Sequence, residues 1–277
     1  MVADGMSSLD KMLGVLALFG EDRPAVTLEQ VMELTQTSRA TTYRYLQSLT
    51  EAGLVAPGTG GAYGIGPRVI ELDRLMRMTD PLLTQAARPM RELSAELSAN
   101  VMLCSYYGDT VMCVDLVWPD TSVPQFYERG RPMPMFKGAM AKTIMAHLPP
   151  YHLRNIQSWH EAEIREAGLG ANWETFRTEM AALRKGGVVI TRAEVVPVVV
   201  GLGVPLLDVD QRILGSLVLA IPEQRFDEAG SGAFVGRLRE TAERVNGAIA
   251  KAAEDAGRPT SMPHRPRRAK DIGAPGV

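Results

Sequence analysis

The sequence predicts an α+β chain in two parts, a winged helix-turn-helix followed by a larger mixed domain. Two observations carry this. Residues 27–66, TLEQVMELTQTSRATTYRYLQSLTEAGLVAPGTGGAYGIG, hold two helical patterns split by a polar break, then two short apolar runs joined by a glycine-rich turn. From Val101 onward, runs of period two alternate with apolar repeats at helical spacing, as strands mixed with helices require. A length of 277 residues leaves room for two cores.

The first helix is expected over residues 8–19. Ser7 or Ser8 can cap it, and Leu9, Met12, Leu13, Leu16 and Phe19 form its apolar stripe before Gly20 and Pro24 end it. Lys11 reads as an ordinary solvated lysine, with a phosphate contact as the alternative. Thr27 and Gln30 have the spacing of a capping box, and Leu28, Val31, Met32 and Leu34 mark a short helix over Leu28–Thr35. After Gln36-Thr37 a second helix starts at Ser38, with Ala40, Tyr43, Leu46 and Leu49 along its inner face. Gly53 ends that helix, Leu54-Val55 leave as a strand, Gly58, Gly60 and Gly61 turn, and residues 62–65 return.

This register leaves Ser38, Arg39, Thr41, Thr42, Arg44 and Tyr45 toward solvent, with Tyr63 on the wing. Hydroxyls and guanidiniums at the start of a recognition helix donate to phosphates and base edges of double-stranded DNA, and the helix dipole adds positive potential there. No acid occurs between Glu33 and Glu51. The competing reading is a helical hairpin with a solvated polar face; the glycine-rich wing and Tyr63 favour DNA.

A net charge of −2 argues against strong non-specific DNA affinity and for a dimer on paired half-sites. An apolar content of 45% with 22% charge describes a soluble globular chain. With no apolar run of about 18 residues there is no expected membrane span. The acidic N-terminus lacks the basic region of a signal peptide, so the cytoplasm is the expected compartment.

Pro67 opens a linker helix over residues 68–78. Its Val69, Ile70, Leu72, Leu75 and Met76 exceed what a solvated linker needs, so a second subunit is expected against it. Asp80-Pro81 breaks it, and the next helix, over residues 82–97, carries Pro89 inside its apolar pattern, where a kink or a split is expected. Runs at 101–106 and 111–116 flank Gly108-Asp109, a hairpin signal. A two-residue loop there sets Cys104 opposite Cys113 at a non-hydrogen-bonded pair; two buried thiols are preferred over a redox pair.

A short strand is expected at 125–127, a loop at 130–134, and a helix over 137–148 whose start is rich in small residues, Gly138, Ala139 and Ala141. Small residues there either expose N–H groups to a carboxylate or allow close packing on a sheet. A charged helix follows over 151–168. His147, His152 and His160, without acidic or cysteine partners at ligand spacing, read as surface groups and not as a metal site. Trp173, Phe176, Met180 and Leu183 mark another helix, followed by strands at 188–191, 198–207 and 213–221 and a last helix over 227–253. Past Gly257 the chain is basic and proline-rich, the composition of a disordered tail. No G-x-S-x-G, P-loop, H-E-x-x-H or Cys-x-x-Cys motif occurs, so neither an enzyme nor a cofactor is expected.

Across residues 8–253 the chain resembles the IclR family of bacterial transcriptional regulators. The resemblance rests on the order of elements and on SRATTYRYLQSLTEAGLV, AYGIG, PMFKGAMAKTIMAHLP and GLGVPLLDVDQRILGSLVLAIP. It implies a winged helix-turn-helix at 8–66, a linker helix at 67–79, a GAF-like effector domain at 80–255 and a tail at 256–277. It further implies a homodimer or dimer of dimers whose DNA binding responds to a small organic acid or related metabolite. The implied pocket is walled by Ala139, Met140, Val199, Gly201, Val218 and Ala220. Phe136 stands where the family often has histidine, Met140-Ala141 replaces a small residue and glycine, and the last strand lacks the serines often found there. These changes suggest an effector with an aromatic or aliphatic body and one anionic end. The rival reading gives the C-terminal domain an oligomerisation role only.

Overall fold

The computed structural model describes residues 7–257 apart from 126, and these divide into two compact units between Met78 and Thr79. In the first, α1 (Ser8–Gly14) tightens into a 3-10 turn (Val15–Leu18), followed by β1 (Ala25–Thr27), α2 (Leu28–Thr35), α3 (Arg39–Glu51), β2 (Val55–Pro57), β3 (Ala62–Ile65) and α4 (Arg68–Thr79). Caps explain the helix starts. Ser7 accepts from the Asp10 N–H and Ser38 from the Thr41 N–H, and Thr27 and Gln30 close a reciprocal capping box.

The 3-10 turn changes the inner face of the first helix. Leu9 and Leu13 are 68% and 50% exposed, while Val15 and Leu18 enter the core with Val26, Val31, Leu46, Leu49 and Val55. The wing has a third strand that the sequence reading missed: β1 pairs with β3 antiparallel, giving the order β1-β3-β2. Three residues carry too little periodicity to announce a strand. Gly66 lets the returning wing touch the end of α3, because a Cβ there would lie 2.1 Å from the Gly53 carbonyl oxygen.

The second unit contains α5 (Pro81–Leu97), β4 (Asn100–Tyr107), β5 (Thr110–Val117), β6 (Pro132–Met133), α6 (Gly138–His147), α7 (Pro150–Trp159), α8 (Glu161–Glu166), α9 (Trp173–Gly186), β7 (Val189–Arg192), β8 (Val199–Leu207), β9 (Ile213–Pro222), α10 (Glu223–Ala229) and α11 (Gly232–Ala256). Its strands form one antiparallel sheet, β6-β5-β4-β9-β8-β7. Alternation along each strand divides the core in two. Val101, Leu103, Leu202, Val204, Leu217 and Leu219 pack against α5 and α11. Met102, Cys104, Cys113, Val199, Val218 and Ala220 pack beneath α6. A sheet covered on both faces explains why β8 and β9 read as continuous apolar runs.

Several boundaries differ from the sequence reading. Gln125 and Tyr127 form no strand, and Phe126 lies outside the described residues; β6 appears instead inside the expected loop. The 151–168 helix breaks at His160 into α7 and α8, and the last helix divides at Gly230 into α10 and α11. Helix α5 runs through Pro89 without a break. Cys104 stands opposite Cys113 as the two-residue turn predicts, next to a bulge between Leu103 and Cys104. From residue 258 the expected basic tail lies outside the described residues. No helix among the described residues is long and apolar enough to cross a membrane.

Candidate DNA interface and effector cavity

The inner face of α3 is rotated from the one the sequence suggested. Thr42, Tyr45, Leu46 and Leu49 are buried, whereas Tyr43 is 57% exposed and Ala40 is exposed. Thr42 tolerates burial because its hydroxyl donates to the Ser38 carbonyl at 3.1 Å and meets Thr37 Oγ1 at 2.8 Å. Tyr45 does so because its hydroxyl lies 2.8 Å from Ser8 Oγ. Both were expected to lie toward solvent, and both are buried. A polar residue reads as outward in sequence, but one with an internal partner can turn inward.

Ser38, Arg39 and Arg44 are exposed, Thr41 is half-exposed, and Tyr43 and Gln47 share their side. Arg44 makes no ion pair among the described residues. Arg39 does: its Nη1 lies 3.0 Å from Glu29 Oε1 across the turn from α2. The Glu29 carboxyl is held below its ordinary value by a backbone hydrogen bond first and by Arg39 next. The acid-free stretch in sequence is therefore not acid-free in space. Tyr63, in the central strand of the wing, is half-buried against the unit's core.

In the second unit, Ala139, Met140, Val199, Gly201, Val218 and Ala220 all reach the wall of one cavity, as the sequence reading grouped them. The cavity is small, with room for little more than one water, about 20 Å3. Glycines let α6 press onto the sheet here. A Cβ on Gly201 would sit 3.3 Å from that of Ala139, and one on Gly203 would sit 2.8 Å from the Ala139 oxygen. The small residues at the helix start thus serve close packing.

The start of α6 is also charge-compensated from within. The Gly138 N–H donates to Glu194 Oε2 at 2.9 Å, and Lys142 Nζ lies 2.6 Å from Glu194 Oε1. Glu194, Val195 and Val196, from the β7–β8 connection, also line the wall, with Tyr127 and Met102. Burial, and then the nearby thiols of Cys104 and Cys113, push the Tyr127 hydroxyl far above its ordinary value. None of these five was foreseen. The acid at 194, inside an otherwise apolar run between strands, was the available signal.

The remaining candidates are mostly buried. Cys104 and Cys113 are free and buried, and hydrogen bonding between them and burial push the Cys104 thiol well above its ordinary value. His152 and His160 are buried, contrary to the surface reading. His160 Nε2 lies 2.8 Å from Asp109 Oδ2 at the β4–β5 turn, and its Nδ1 lies 3.3 Å from Glu163 Oε1. Among the described residues no cluster of three or more His, Cys, Asp and Glu could hold a metal.

Comparison with known proteins decides what carries this geometry. The IclR helix-turn-helix domain model matches residues 8–57, and the bacterial transcriptional regulator IclR C-terminal model matches residues 77–246. The chain belongs to the IclR family. It is 24% identical over 238 residues to the HTH-type transcriptional regulator KipR of Bacillus subtilis, covering 85% of this chain and 94% of that one. It is 30% identical over 195 residues to the HTH-type transcriptional regulator Rv1719 of Mycobacterium tuberculosis, covering 68% and 72%. In fold it matches an IclR homologue of Microbacterium hydrocarbonoxydans complexed with 4-hydroxybenzoate, with a TM-score of 0.67, 18% identity and coverage of 88% and 99%. This IclR-family chain is a transcriptional regulator, with a helix-turn-helix DNA-binding domain and a C-terminal effector domain; its relatives are regulators and not enzymes.

Proposed function

We propose that this regulator binds operator DNA in the cytoplasm as a homodimer or dimer of dimers. In this reading a small organic acid with an aromatic or aliphatic body controls it from the cavity beneath α6. The DNA contacts are Ser38, Arg39, Thr41 and Arg44, with Tyr43 and Gln47 beside them and Tyr63 on the wing. The observation that carries the reading is the exposed, N-capped start of α3, where Arg44 makes no ion pair among the described residues, opposite a buried face that fixes its orientation. Donors at a helix start suit both phosphates and base edges. The apolar lining at Met102, Met140, Val199 and Val218 suits the body of the effector, and Lys142 with the first turn of α6 suits its carboxylate. The 4-hydroxybenzoate complex of the Microbacterium homologue is in keeping with an aromatic acid.

The second reading, a C-terminal domain that serves oligomerisation alone, is favoured by the small free volume of the cavity. Fluorescence anisotropy with DNA from upstream of the gene, at fixed salt, separates the two. Saturable binding lost in Arg44→Ala, with a salt slope reduced by about one, is expected. One aromatic or aliphatic acid is expected to shift the affinity about tenfold, within the usual coupling of about 1–3 kcal/mol. Tight binding indifferent to every acid tested supports the oligomerisation reading instead.

A further inference from the structure

The β7–β8 connection, residues 193–198, brings an anion of its own to the cavity. One carboxylate, that of Glu194, bridges the first N–H of α6 and the Lys142 ammonium. The Lys142 side chain is 12% exposed and that of Glu194 is 29% exposed, so the pair is shielded on the lysine side and reaches water on the glutamate side. Gly138 is suited to this arrangement: its φ is +83°, and a Cβ there would lie 2.8 Å from Val195 Cγ2. Both ends of the connection are held in the left-handed region, Ala193 at φ 50° and Val198 at φ 57°. Valine is costly there because it is β-branched, and Val198 is 68% exposed, with little packing of its own to hold it. Backbone hydrogen bonds anchor both ends, from the Ala193 N–H to the Val199 carbonyl at 2.9 Å and from the Glu223 N–H to the Val198 carbonyl at 2.8 Å, so residues 194–196 form a short strained span between fixed ends.

We propose that Glu194 is the specificity-determining residue of this cavity: its carboxylate occupies the anion position, and an acid effector binds by exchanging with it. This rests on the acid-effector reading above. With about 20 Å3 of free space the cavity must widen to take a ring-bearing acid, and in this proposal residues 194–196 are the part of the wall that withdraws. The positions that would hold the acid's carboxylate are the two that Glu194 holds. Exchange keeps Lys142 neutralised throughout, because one carboxylate replaces another, and the displaced Glu194 moves toward the water it already touches. The acid then gains only what Glu194 gives up, so wild-type affinity for acids is modest. A glutamine at 194 leaves Lys142 without a counter-anion in a shielded site, and an incoming acid supplies one. A neutral amide of the same shape cannot do so.

The test is isothermal titration of the full chain with benzoate, 4-hydroxybenzoate and benzamide, for wild type, Glu194→Gln and Glu194→Asp. We expect the acids to bind Glu194→Gln at least about tenfold more tightly than wild type, with Glu194→Asp between them and benzamide unaffected. Equal acid affinity in all three overturns the exchange and leaves the acid-effector reading standing. If no acid binds any of the three while operator binding persists, the acid-effector reading itself falls, and the exchange with it. Hydrogen exchange on wild type tests the same idea without a substitution. Benzoate should speed exchange across residues 193–198, and added protection there overturns the proposal.

Discussion

Tyr43 and Tyr45 lie two positions apart on α3 and meet opposite environments. Tyr43 is 57% exposed on the side that carries Arg44, whereas Tyr45 is 5% exposed with its hydroxyl against Ser8 Oγ. The second contact ties α3 to the start of α1, which is a contribution to stability. Tyr45→Phe should cost about 0.5–1.5 kcal/mol in urea unfolding, the usual net worth of one hydrogen bond, and leave operator affinity within about twofold. A large loss of DNA affinity at unchanged stability would return Tyr45 to the interface. Residue types alone could not separate the two tyrosines, because each is amphipathic and each fits a face of the same helical repeat. The partner that decides is 37 positions away in sequence.

Between elements, His160 joins the β4–β5 turn to the break between α7 and α8. Its hydrogen bond to Asp109 raises its pKa above the ordinary 6.5, with Glu163 adding to the rise and burial opposing it. A histidine whose folded value exceeds its unfolded one stabilises the fold fully below the unfolded value. That contribution is lost as pH rises through the folded one. The unfolding free energy of the wild type relative to His160→Gln should therefore decline as pH rises above about 6.5. A slope identical in both proteins would remove the pair from the account of stability. Most helices and the β4–β5 hairpin were legible, because caps such as Thr27-Gln30 and the Gly108-Asp109 turn act over three or four residues. The strands β1 and β6 were not, because two or three residues become a strand only when a partner supplies the ladder.

At the scale of the molecule, α4 leaves an apolar face in solvent: Ile70 is 75% exposed, Met78 59%, and Leu72, Leu75 and Met76 each more than 40%. A face of this kind is what an isologous contact with a second copy would cover. Ile70→Asp should leave folding intact, since the side chain is exposed. It should lower the sedimenting mass in ultracentrifugation and weaken binding to a two-half-site operator; an unchanged mass would place the interface elsewhere. The sequence by itself determined most of the helices, the β4–β5 hairpin and the long strands β8 and β9, because these depend on local caps, turns and strand alternation, and its resemblance to the family named the six residues that meet at the cavity. Only the tertiary structure decided which face of α3 is buried, that Glu29 reaches Arg39, and that Glu194 bridges the Gly138 N–H and Lys142. Each of these depends on a pairing between separate elements, and such pairings form through space, where sequence spacing carries no record of them.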